Sequence, residues 1–418
     1  MATVTAEVRL WDRSVGALAE VDGRISFEFD PGFISNGWPI SPLVLPTGPG
    51  VYAFPELRRA EAFEGLPGVF ADALPDRFGN AIIQRHFTNL GRPGDAFSPV
   101  QKLLYVGRRA MGALEFEPAQ PGEGDAAEPL QVARLVREAR ALIEGRADVK
   151  LPEIMRVGGS AGGARAKALI GWAAATEEVV SGVDELPPGF EPWLIKFDGA
   201  GDLDKPGGSS NGPFGRIECA YGHMAVEAGL VMPPFRMLEE NGRAHFMVHR
   251  FDRSEDGDKV HMHSLCGAAH LDFNMSGAHS YEQLFRTCLA IGAGAPAIEQ
   301  AYRRMIFNVV ARNQDDHTKN FAFLMDRQGQ WGLSPAFDVT YANGEGWTRE
   351  HQMTIRGKTD GFTRADLLSV GDTFKVRRAE EILDQTIETV SRWPEFAESV
   401  RVPADWMAKI AGDHRLAL

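Results

Sequence analysis

The chain has 418 residues, of which 44% are hydrophobic and 24% charged, and its formal net charge is −13. This length predicts two or three domains, and the composition is that of a folded protein with a full core rather than a disordered one. The acidic balance argues against direct binding of nucleic acid or of an anionic membrane, so we expect any association with DNA to pass through a partner.

Three cysteines, Cys219, Cys266 and Cys288, stand far apart and without C-x-x-C spacing. This pattern predicts buried free thiols rather than disulfides or a zinc site. Residues 1–10 lack the apolar core of a signal peptide, and no apolar run approaches bilayer-spanning length. We therefore expect a cytoplasmic protein that does not enter a membrane.

The first hundred residues predict a small α+β module. Between residues 4 and 29 polar and apolar residues alternate and are interrupted by Asp/Gly turns, which indicates antiparallel strands. Residues 31–55 are rich in Gly, Pro and Ser and predict loops. A helix is expected over residues 71–85, with Pro75 in its first turn, and the small, acidic stretch 118–128 predicts a linker.

A helix and a glycine-rich loop are expected next. Residues 129–146 show the apolar spacing of an amphipathic helix. Residues 155–170 read M-R-V-G-G-S-A-G-G-A-R-A-K-A-L-I, with Ser160 among four glycines and Lys167 nearby. Backbone N–H groups of such a loop can line an anion, although a mobile hairpin loop has the same composition and the spacing is not that of a Walker A motif.

The run W-L-I-K-F places Lys196 inside a predicted strand. A lysine in a buried strand needs a partner or a function, and protein kinases use such a lysine on the ATP phosphates, positioned by a helix glutamate. Glu218, on the helix expected over residues 215–229, is a candidate partner. A sheet-edge lysine that reaches solvent is the alternative.

Beyond a strand predicted over residues 244–251, the chain is expected to be mostly helical. The predicted helices cover residues 281–291, 296–312, 364–370, 376–392 and 403–411. Five histidines, His245, His249, His261, His263 and His270, fall close together in the preceding segment. They lack the spacing of a zinc motif, so satisfied core or solvated histidines are the favoured interpretation.

The stretch 313–320, N-Q-D-D-H-T-K-N, follows the second of these helices and carries Asp315 and Asn320 in a D-x-x-x-x-N spacing. A strand over residues 321–325 and a turn over 326–330 then lead to S-P-A-F and Asp338. Phosphoryl transfer needs a carboxylate as base and an amide plus a second carboxylate for magnesium, and protein kinases space them in this way. An acidic turn is the alternative. His317, inside the loop, could orient Asp315 or cap the turn.

Taken together, these motifs resemble those of the HipA family, bacterial serine/threonine kinase toxins of type II toxin–antitoxin systems. The similarity runs along the whole chain, through V-R-L-W-D-R-S-V-G-A-L and F-E-G-L-P-G-V-F-A-D-A-L-P-D-R, then S-A-G-G-A-R-A-K-A-L-I, W-L-I-K-F and H-R-F-D-R, to N-Q-D-D-H-T-K-N-F-A-F-L, L-S-P-A-F-D-V and I-R-G-K-T-D-G-F-T-R-A-D-L-L. The last group is the most specific because loop, hairpin and Asp338 occur in family order.

The resemblance implies a fold and a domain division. We expect an α+β, two-lobed, protein-kinase-like fold. Its parts would be an N-terminal α+β module over residues 1–117, a region like a kinase N-lobe over 129–251 and a helical C-lobe over 252–418.

The resemblance also implies residue roles. Asp315 would be the catalytic base, with His317 and Lys319 beside it in the loop, and Asn320 and Asp338 would be the magnesium ligands. The residues expected at ATP are Ser160, Gly162, Gly163, Lys167, Lys196, Arg250 and Phe251, the last two at the adenine-binding hinge.

Ser160 falls on what resembles the family's autophosphorylated serine, where the added phosphate would repel ATP phosphates and silence the kinase. Two positions depart from the family pattern. His249 stands at the hinge where the best-known members have an acidic residue, and Asp316 stands where a glycine can stand and adds charge beside the metals. Neither removes a required catalytic group.

The implied activity is that of a Mg-ATP-dependent protein serine/threonine kinase that arrests growth by phosphorylating a translation-related protein, for which an aminoacyl-tRNA synthetase is the model target. Its implied partner is a small DNA-binding, HipB-like antitoxin, so that DNA is reached only indirectly. Two alternatives stay open: a small-molecule kinase of related fold, and a non-catalytic co-repressor that senses nucleotide.

Overall fold

The structure is a computed structural model that describes residues 3–89, 91, 97–119, 129–146, 154, 165–182, 185–200 and 212–418. It divides into two compact units. The first comprises Met1–Ile40, Leu45–Gly215 and Arg236–Met262, and the second comprises Ser41–Val44, Arg216–Phe235 and His263–Leu418. The expected three-part division at residues 117–129 and 251–252 stays a prediction.

Unit 1 begins with an antiparallel sheet. Its strands are β1 (Thr3–Leu10), β2 (Arg13–Val21), β3 (Arg24–Phe29), β4 (Val51–Tyr52) and β5 (Leu114–Glu117), in the order β4-β3-β2-β1-β5. The first three strands confirm the prediction from alternation: β1 and β3 bury alternate apolar residues on one face, whereas β2 also buries Glu20 and exposes Val21.

The helices of this region are α1 (Pro31–Asn36), α2 (Gly68–Ala71), α3 (Arg77–Asn89) and α4 (Pro99–Val106). The loop expected over residues 31–55 therefore begins with a helix, because Asp30 accepts hydrogen bonds from the N–H groups of Gly32 and Phe33 at its start. The single helix expected over residues 71–85 was wrong. The chain leaves α2 before Pro75, which cannot donate a backbone hydrogen bond, and α3 begins after it.

A second sheet of unit 1 contains β6 (Lys167–Trp172), β7 (Val179–Ser181), β8 (Glu191–Lys196), β9 (Phe235–Glu240) and β10 (Arg243–His249), in the order β7-β6-β8-β10-β9. The strand predicted around Lys196 is β8, and the amphipathic helix is α5 (Val132–Ile143). Side chains of α3, α5, β6 and β8 share one hydrophobic core. Residues 155–164 of the glycine-rich loop and 120–128 of the linker lie outside the described residues.

Unit 2 is mostly helical, as predicted. Its helices are α6 (Phe214–Glu227), which begins at the boundary, α7 (Leu265–Ala269), α8 (Tyr281–Ala290), α9 (Gly294–Val310), α10 (Arg364–Thr373), α11 (Ala379–Ser391), α12 (Trp393–Ser399) and α13 (Ala404–Asp413). The five predicted C-terminal helices are confirmed, while α7 and α12 are too short to show a helical period. Most of α9 is buried, and it carries the chain directly into the loop at residues 313–320.

Short strands complete the description: β11 (His261–Ser264), which begins in unit 1 and ends in unit 2, and β12 (His279–Ser280), β13 (Ala322–Met325), β14 (Trp331–Leu333) and β15 (Met353–Thr354) of unit 2. The strands β13 and β14 pair antiparallel, which confirms the strand and turn expected before Asp338. Cys219, Cys266 and Cys288 are buried free thiols, as predicted. Within the described ranges no helix is both long and apolar enough to cross a membrane.

Candidate functional site

The loop at residues 313–320 is fixed at both ends by hydrogen bonds. At its start, the backbone N–H of Asn313 donates to the carbonyl of Asn308 at 3.0 Å, and that of Gln314 donates to Ala342 at 2.9 Å. At its end, the hydroxyl of Thr318 donates to the carbonyl of Leu271 at 2.7 Å. A loop bound in this way holds its side chains on a rigid frame, which a catalytic site requires.

Asp315 and Asn320, the two ends of the D-x-x-x-x-N spacing, are in contact. The amide Nδ2 of Asn320 donates to the backbone carbonyl of Asp315 at 2.7 Å. A 3₁₀ turn, Thr318–Asn320, produces this return of the chain. The bond uses the amide nitrogen and leaves Oδ1 of Asn320 available as an oxygen ligand.

Asp338 lies beside Asn320. The two residues line one cavity of about 10 Å³, about the space of a single water molecule, together with Arg304, Asn308 and Asp316. The backbone of Asp338 is left-handed, with φ of +54°, a conformation that costs free energy for a residue with a side chain. The structure thus brings together the three residues that the spacing predicted.

Two buried contacts hold the segment that ends at Asp338. Arg304 of α9 donates from Nη2 to the carbonyl of Ser334, and the N–H of Ala336 donates to the carbonyl of Val231 at 2.8 Å. Burial lowers the pKa of Arg304 to about 10, which leaves its guanidinium charged at neutral pH. These anchors offset the strain at Asp338.

The carboxylate of Asp315 has one strong donor. Trp347 donates from Nε1 to Oδ1 of Asp315 at 2.7 Å, and Nε2 of His317 lies 3.8 Å from the same oxygen. The pKa of Asp315 is raised above its usual value, chiefly because burial removes water from the carboxylate. The nearby His317 and the hydrogen bond from Trp347 lower this pKa, whereas the negative charges of Asp338 and Asp316 raise it. A carboxylate with a raised pKa holds a proton better, as a general base must.

Asp316, adjacent to Asp315, is buried and bonded away from solvent. Its Oδ2 accepts from Tyr281 Oη at 2.6 Å and lies 2.7 Å from His351 Nδ1, and its Oδ1 accepts from the N–H of Gln352 at 2.8 Å. Burial, the Asp316 charge and this bond raise the pKa of Tyr281 well above its usual value, so it stays a donor. Asp316 therefore fixes the loop from within.

His317 and Lys319 flank Asp315. His317 reaches Asp315 at an ion-pair distance, longer than a hydrogen bond, and its ring packs against Phe273 and Trp347. Lys319 places its Nζ 5.0 Å from the centre of the Phe273 ring. Their catalytic roles stay predictions.

The side-chain oxygen atoms of Asn320 and Asp338 suit magnesium. Among the described residues no three His, Cys, Asp or Glu side chains form a metal centre by themselves. Magnesium, however, prefers hard oxygen ligands and takes one or two protein ligands together with substrate phosphates. The amide oxygen of Asn320 and the carboxylate of Asp338 are such ligands, and their shared cavity admits an atom of this size.

The predicted phosphate-binding lysines are in unit 1. Lys167 and Lys196 stand directly opposite each other on β6 and β8. Lys167 forms a buried ion pair with Asp76, and Lys196 lies 5.8 Å from the centre of the Phe246 ring. Glu218, on α6 of unit 2, is buried, and its pairing with Lys196 stays a prediction. Ser160, Gly162 and Gly163 lie outside the described residues.

At the predicted hinge, Arg250 is buried and its side chain is bound to Asp252 by two hydrogen bonds of 2.9 and 2.7 Å. Burial alone would raise the pKa of Asp252, but the charges of Arg250 and Arg253 outweigh it and lower that pKa far below its usual value. Any contact of residue 250 with adenine is thus assigned to its backbone. Phe251 follows β10, and the role of both residues stays a prediction.

The histidines that fall close together in the sequence have separate partners. His261 Nε2 lies 2.9 Å from the carbonyl oxygen of Ile40, and His263 Nε2 lies 3.0 Å from the hydroxyl of Ser41. His249 packs its ring edge-on against Trp193. These separate contacts do not bring the three rings together as the ligands of one metal ion.

Three of the contacts described above were not expected from the sequence. The Trp347 bond to Asp315, the Asp316 network and the Asp76 pair all join residues more than 30 positions apart. The G-E-G-W run soon after Asp338 and the A-L-P-D-R motif are both visible in the sequence, but neither indicates its partner.

Two family models match this chain. The family model described as "HipA-like C-terminal domain" matches residues 159–393, and the one described as "HipA N-terminal domain" matches residues 6–117. A protein of Sinorhizobium fredii that carries the name "Putative kinase Y4mE" is 29% identical over 192 residues, 40% of this chain and 44% of that protein. A "Putative kinase" of Haemophilus influenzae is 28% identical over 131 residues, 29% of this chain and 38% of that protein. The chain thus spans less than half the length of these relatives.

A solved structure shares the fold. A chain from the complex of HipA, HipB and operator DNA of the Shewanella oneidensis toxin–antitoxin system superposes with a TM-score of 0.67. The match covers 97% of this chain and 94% of that one at 15% identity. The expected α+β, kinase-like class is therefore confirmed.

Proposed function

The chain belongs to the HipA family of kinases, and on this premise we propose that it is a Mg-ATP-dependent protein serine/threonine kinase that acts as a growth-arresting toxin. The observation that supports this proposal is the assembly of Asp315, Asn320 and Asp338 on one anchored loop and its neighbouring segment. A base and two oxygen ligands so arranged are the protein groups that phosphoryl transfer requires.

In this mechanism Asp315 accepts the proton of a serine or threonine hydroxyl. The hydroxyl oxygen forms a bond to the γ-phosphorus while the bond from that phosphorus to the β,γ-bridging oxygen breaks, which releases ADP. Asn320 and Asp338 would hold magnesium, which neutralises phosphate charge when bound. Lys167 and Lys196 would contact the phosphates.

Trp347 contributes by fixing the orientation of the base. Its bond occupies Oδ1 of Asp315, so the other carboxylate oxygen remains for the substrate hydroxyl. The exposed position of Trp347 beside this oxygen also provides an aromatic surface for the residues around the acceptor.

The proposal includes regulation and partners. Autophosphorylation of Ser160 would switch the kinase off, because two added negative charges repel the phosphates of ATP. A HipB-like antitoxin would neutralise the toxin and bring it to DNA, consistent with the net charge of −13, which disfavours direct contact with DNA. The target class is a translation-related protein, with an aminoacyl-tRNA synthetase as the candidate.

The test is incubation of the purified protein with Mg-ATP followed by mapping of phosphorylated residues. We expect phosphate on Ser160 in the wild type and none in the Asp338→Asn variant. ATP turnover only on addition of a small-molecule acceptor would contradict the proposal and indicate a small-molecule kinase. ATP binding without turnover would indicate the co-repressor. In cells, the wild type should arrest growth unless a HipB-like antitoxin is co-expressed.

A further inference from the structure

The buried ion pair between Asp76 and Lys167 joins the two halves of unit 1 that the two family models match separately. Asp76 Oδ2 lies 3.1 Å from Lys167 Nζ, and their side chains are 6% and 4% exposed. Asp76 falls in residues 6–117, matched by the N-terminal family model, whereas Lys167 falls in residues 159–393. Burial of an ammonium group costs free energy, and the carboxylate of Asp76 offsets part of that cost.

The carboxylate of Asp76 is held in place by its own chain. Its Oδ1 accepts from the N–H of Gly79, and its backbone carbonyl accepts from the N–H of Asn80 at 2.7 Å, both in the first turn of α3. One carboxylate oxygen is therefore fixed on the helix, and the other is directed at Lys167. The orientation of Asp76 does not depend on the lysine.

The hydrophobic core fixes the helix against the sheet. Phe78 and Ile82 of α3 belong to the same buried cluster as Ala168 and Ile170 of β6. The distance from the start of α3 to the first residue of β6 is thus set by packing in a close-packed interior, which resists displacement. Asp76 is a rigid counter-charge rather than a mobile surface partner.

The opposite position on the sheet explains why Lys167 needs such a partner. Lys167 and Lys196 are directly paired in the register of β6 and β8, so their side chains leave the same face of the sheet. Like charges directly opposite each other destabilise a pair of strands. A carboxylate beside one lysine reduces this repulsion and fixes the position of that ammonium group.

We propose that Asp76 is a positioning residue that holds Lys167 for the phosphates of the nucleotide, so that the N-terminal family domain contributes to ATP binding through this lysine. This inference rests on the proposed kinase function. It assigns a role to the A-L-P-D-R motif of the N-terminal region, which the catalytic residues do not use. Kinases in general orient a phosphate-binding lysine with a carboxylate, and here the N-terminal domain supplies one.

The experiment measures the dissociation constant of Mg-ATP and the kinetics of autophosphorylation for four variants of the full chain. Asp76→Asn should bind ATP about tenfold more weakly, with a rise in KM larger than the fall in kcat, since the lysine is present but no longer oriented. Asp76→Glu, which keeps the charge, should recover part of this loss. Lys167→Met should lose at least as much, and Asp76→Asn should add no further loss to it in the double variant.

A control separates positioning from stability. Glu64→Gln removes another ion pair of the N-terminal region, to Lys102 at 2.7 Å, and should leave ATP binding unchanged. Should Asp76→Asn lower the melting temperature too far for kinetics, the comparison rests on Asp76→Glu and on the double variant, which removes both buried charges together.

Four results would overturn the proposal. Wild-type ATP affinity in Asp76→Asn while Lys167→Met is impaired would reject Asp76 alone and leave the kinase intact. Losses that multiply in the double variant would show that the two residues act independently. Wild-type ATP affinity in Lys167→Met would reject the role of Lys167, and with it the role of Asp76. The absence of ATP binding by the wild type would reject the kinase function itself.

Discussion

Replacement of Trp347 by phenylalanine tests the proposed role of Asp315 as the catalytic base most directly. Trp347 donates from Nε1 to Oδ1 of Asp315 at 2.7 Å, and phenylalanine keeps an aromatic ring while it removes the donor. A hydrogen bond to a charged acceptor contributes about 1.5–3 kcal/mol. The Asp315 side chain is 41% exposed, so water replaces part of the lost bond and the lower end of this range applies.

From this we expect Trp347→Phe to lower kcat for phosphoryl transfer about 5- to 20-fold, which corresponds to roughly 1–2 kcal/mol. Its stability should be nearly unchanged, because Trp347 is 42% exposed and little packing is lost. The assay is transfer of radiolabelled phosphate from ATP under single-turnover conditions, together with a melting curve. Trp406→Phe, on α13, is the matched control and should retain full activity.

Two results would refute this reasoning. Full activity in Trp347→Phe would show that the indole N–H does not orient the base. A fall in kcat accompanied by a marked fall in melting temperature would show that Trp347 supports the fold of its segment instead.

Three further predictions concern neighbouring groups. Asp315→Asn should lower phosphoryl transfer about 10²- to 10⁴-fold with an unchanged melting temperature, and full autophosphorylation in that variant would contradict the assignment of the base. Asp316→Asn should instead lower the free energy of unfolding by about 2–4 kcal/mol in urea titrations. An amide cannot accept hydrogen bonds from all the donors that this buried carboxylate satisfies. A free energy of unfolding equal to that of Asp315→Asn would disprove this prediction. Burial lowers the pKa of His414 to about 4, so between pH 6.5 and 4 the unfolded chain binds more protons and stability falls as pH falls, by about 3 kcal/mol at most from this group. His414→Gln should show a flatter decline over that window, and an identical pH profile would exclude this contribution.

The parts of the fold that the sequence predicted are those in which local pattern determines structure. Alternation over residues 4–29 predicted three strands, and apolar spacing predicted α5, α9 and α11, because an exposed and a buried face repeat with the period of the element. The helix expected across Pro75 failed since the apolar spacing continues through a residue that cannot donate the required hydrogen bond. At Pro75 the apolar spacing is compatible with a helix, but the missing backbone N–H is not, and the helix is interrupted.

The site was predictable to a similar extent. The spacing from Asp315 to Asn320 and the hairpin before Asp338 lie within 24 residues, so residue order alone placed the three groups near one another. Asp316 was expected to add charge beside the metals. Its donors come from α8 and from the segment after Trp347, and these are brought to it only by tertiary packing. Asp76 was visible only as part of a motif, and its partner across 91 residues emerged from the structure.

The left-handed backbone at Asp338 limits which residues evolution can place there. Asparagine and glycine adopt this conformation readily, whereas alanine and branched residues do so at a cost. A lineage that abandons phosphoryl transfer but keeps the fold should therefore drift at this position to asparagine or glycine before any apolar residue. Inactive family members with alanine, valine or leucine at this position and an unaltered loop would contradict that expectation. The same restriction makes Asp338→Asn a cleaner probe of the lost charge than Asp338→Ala, which would also strain the chain.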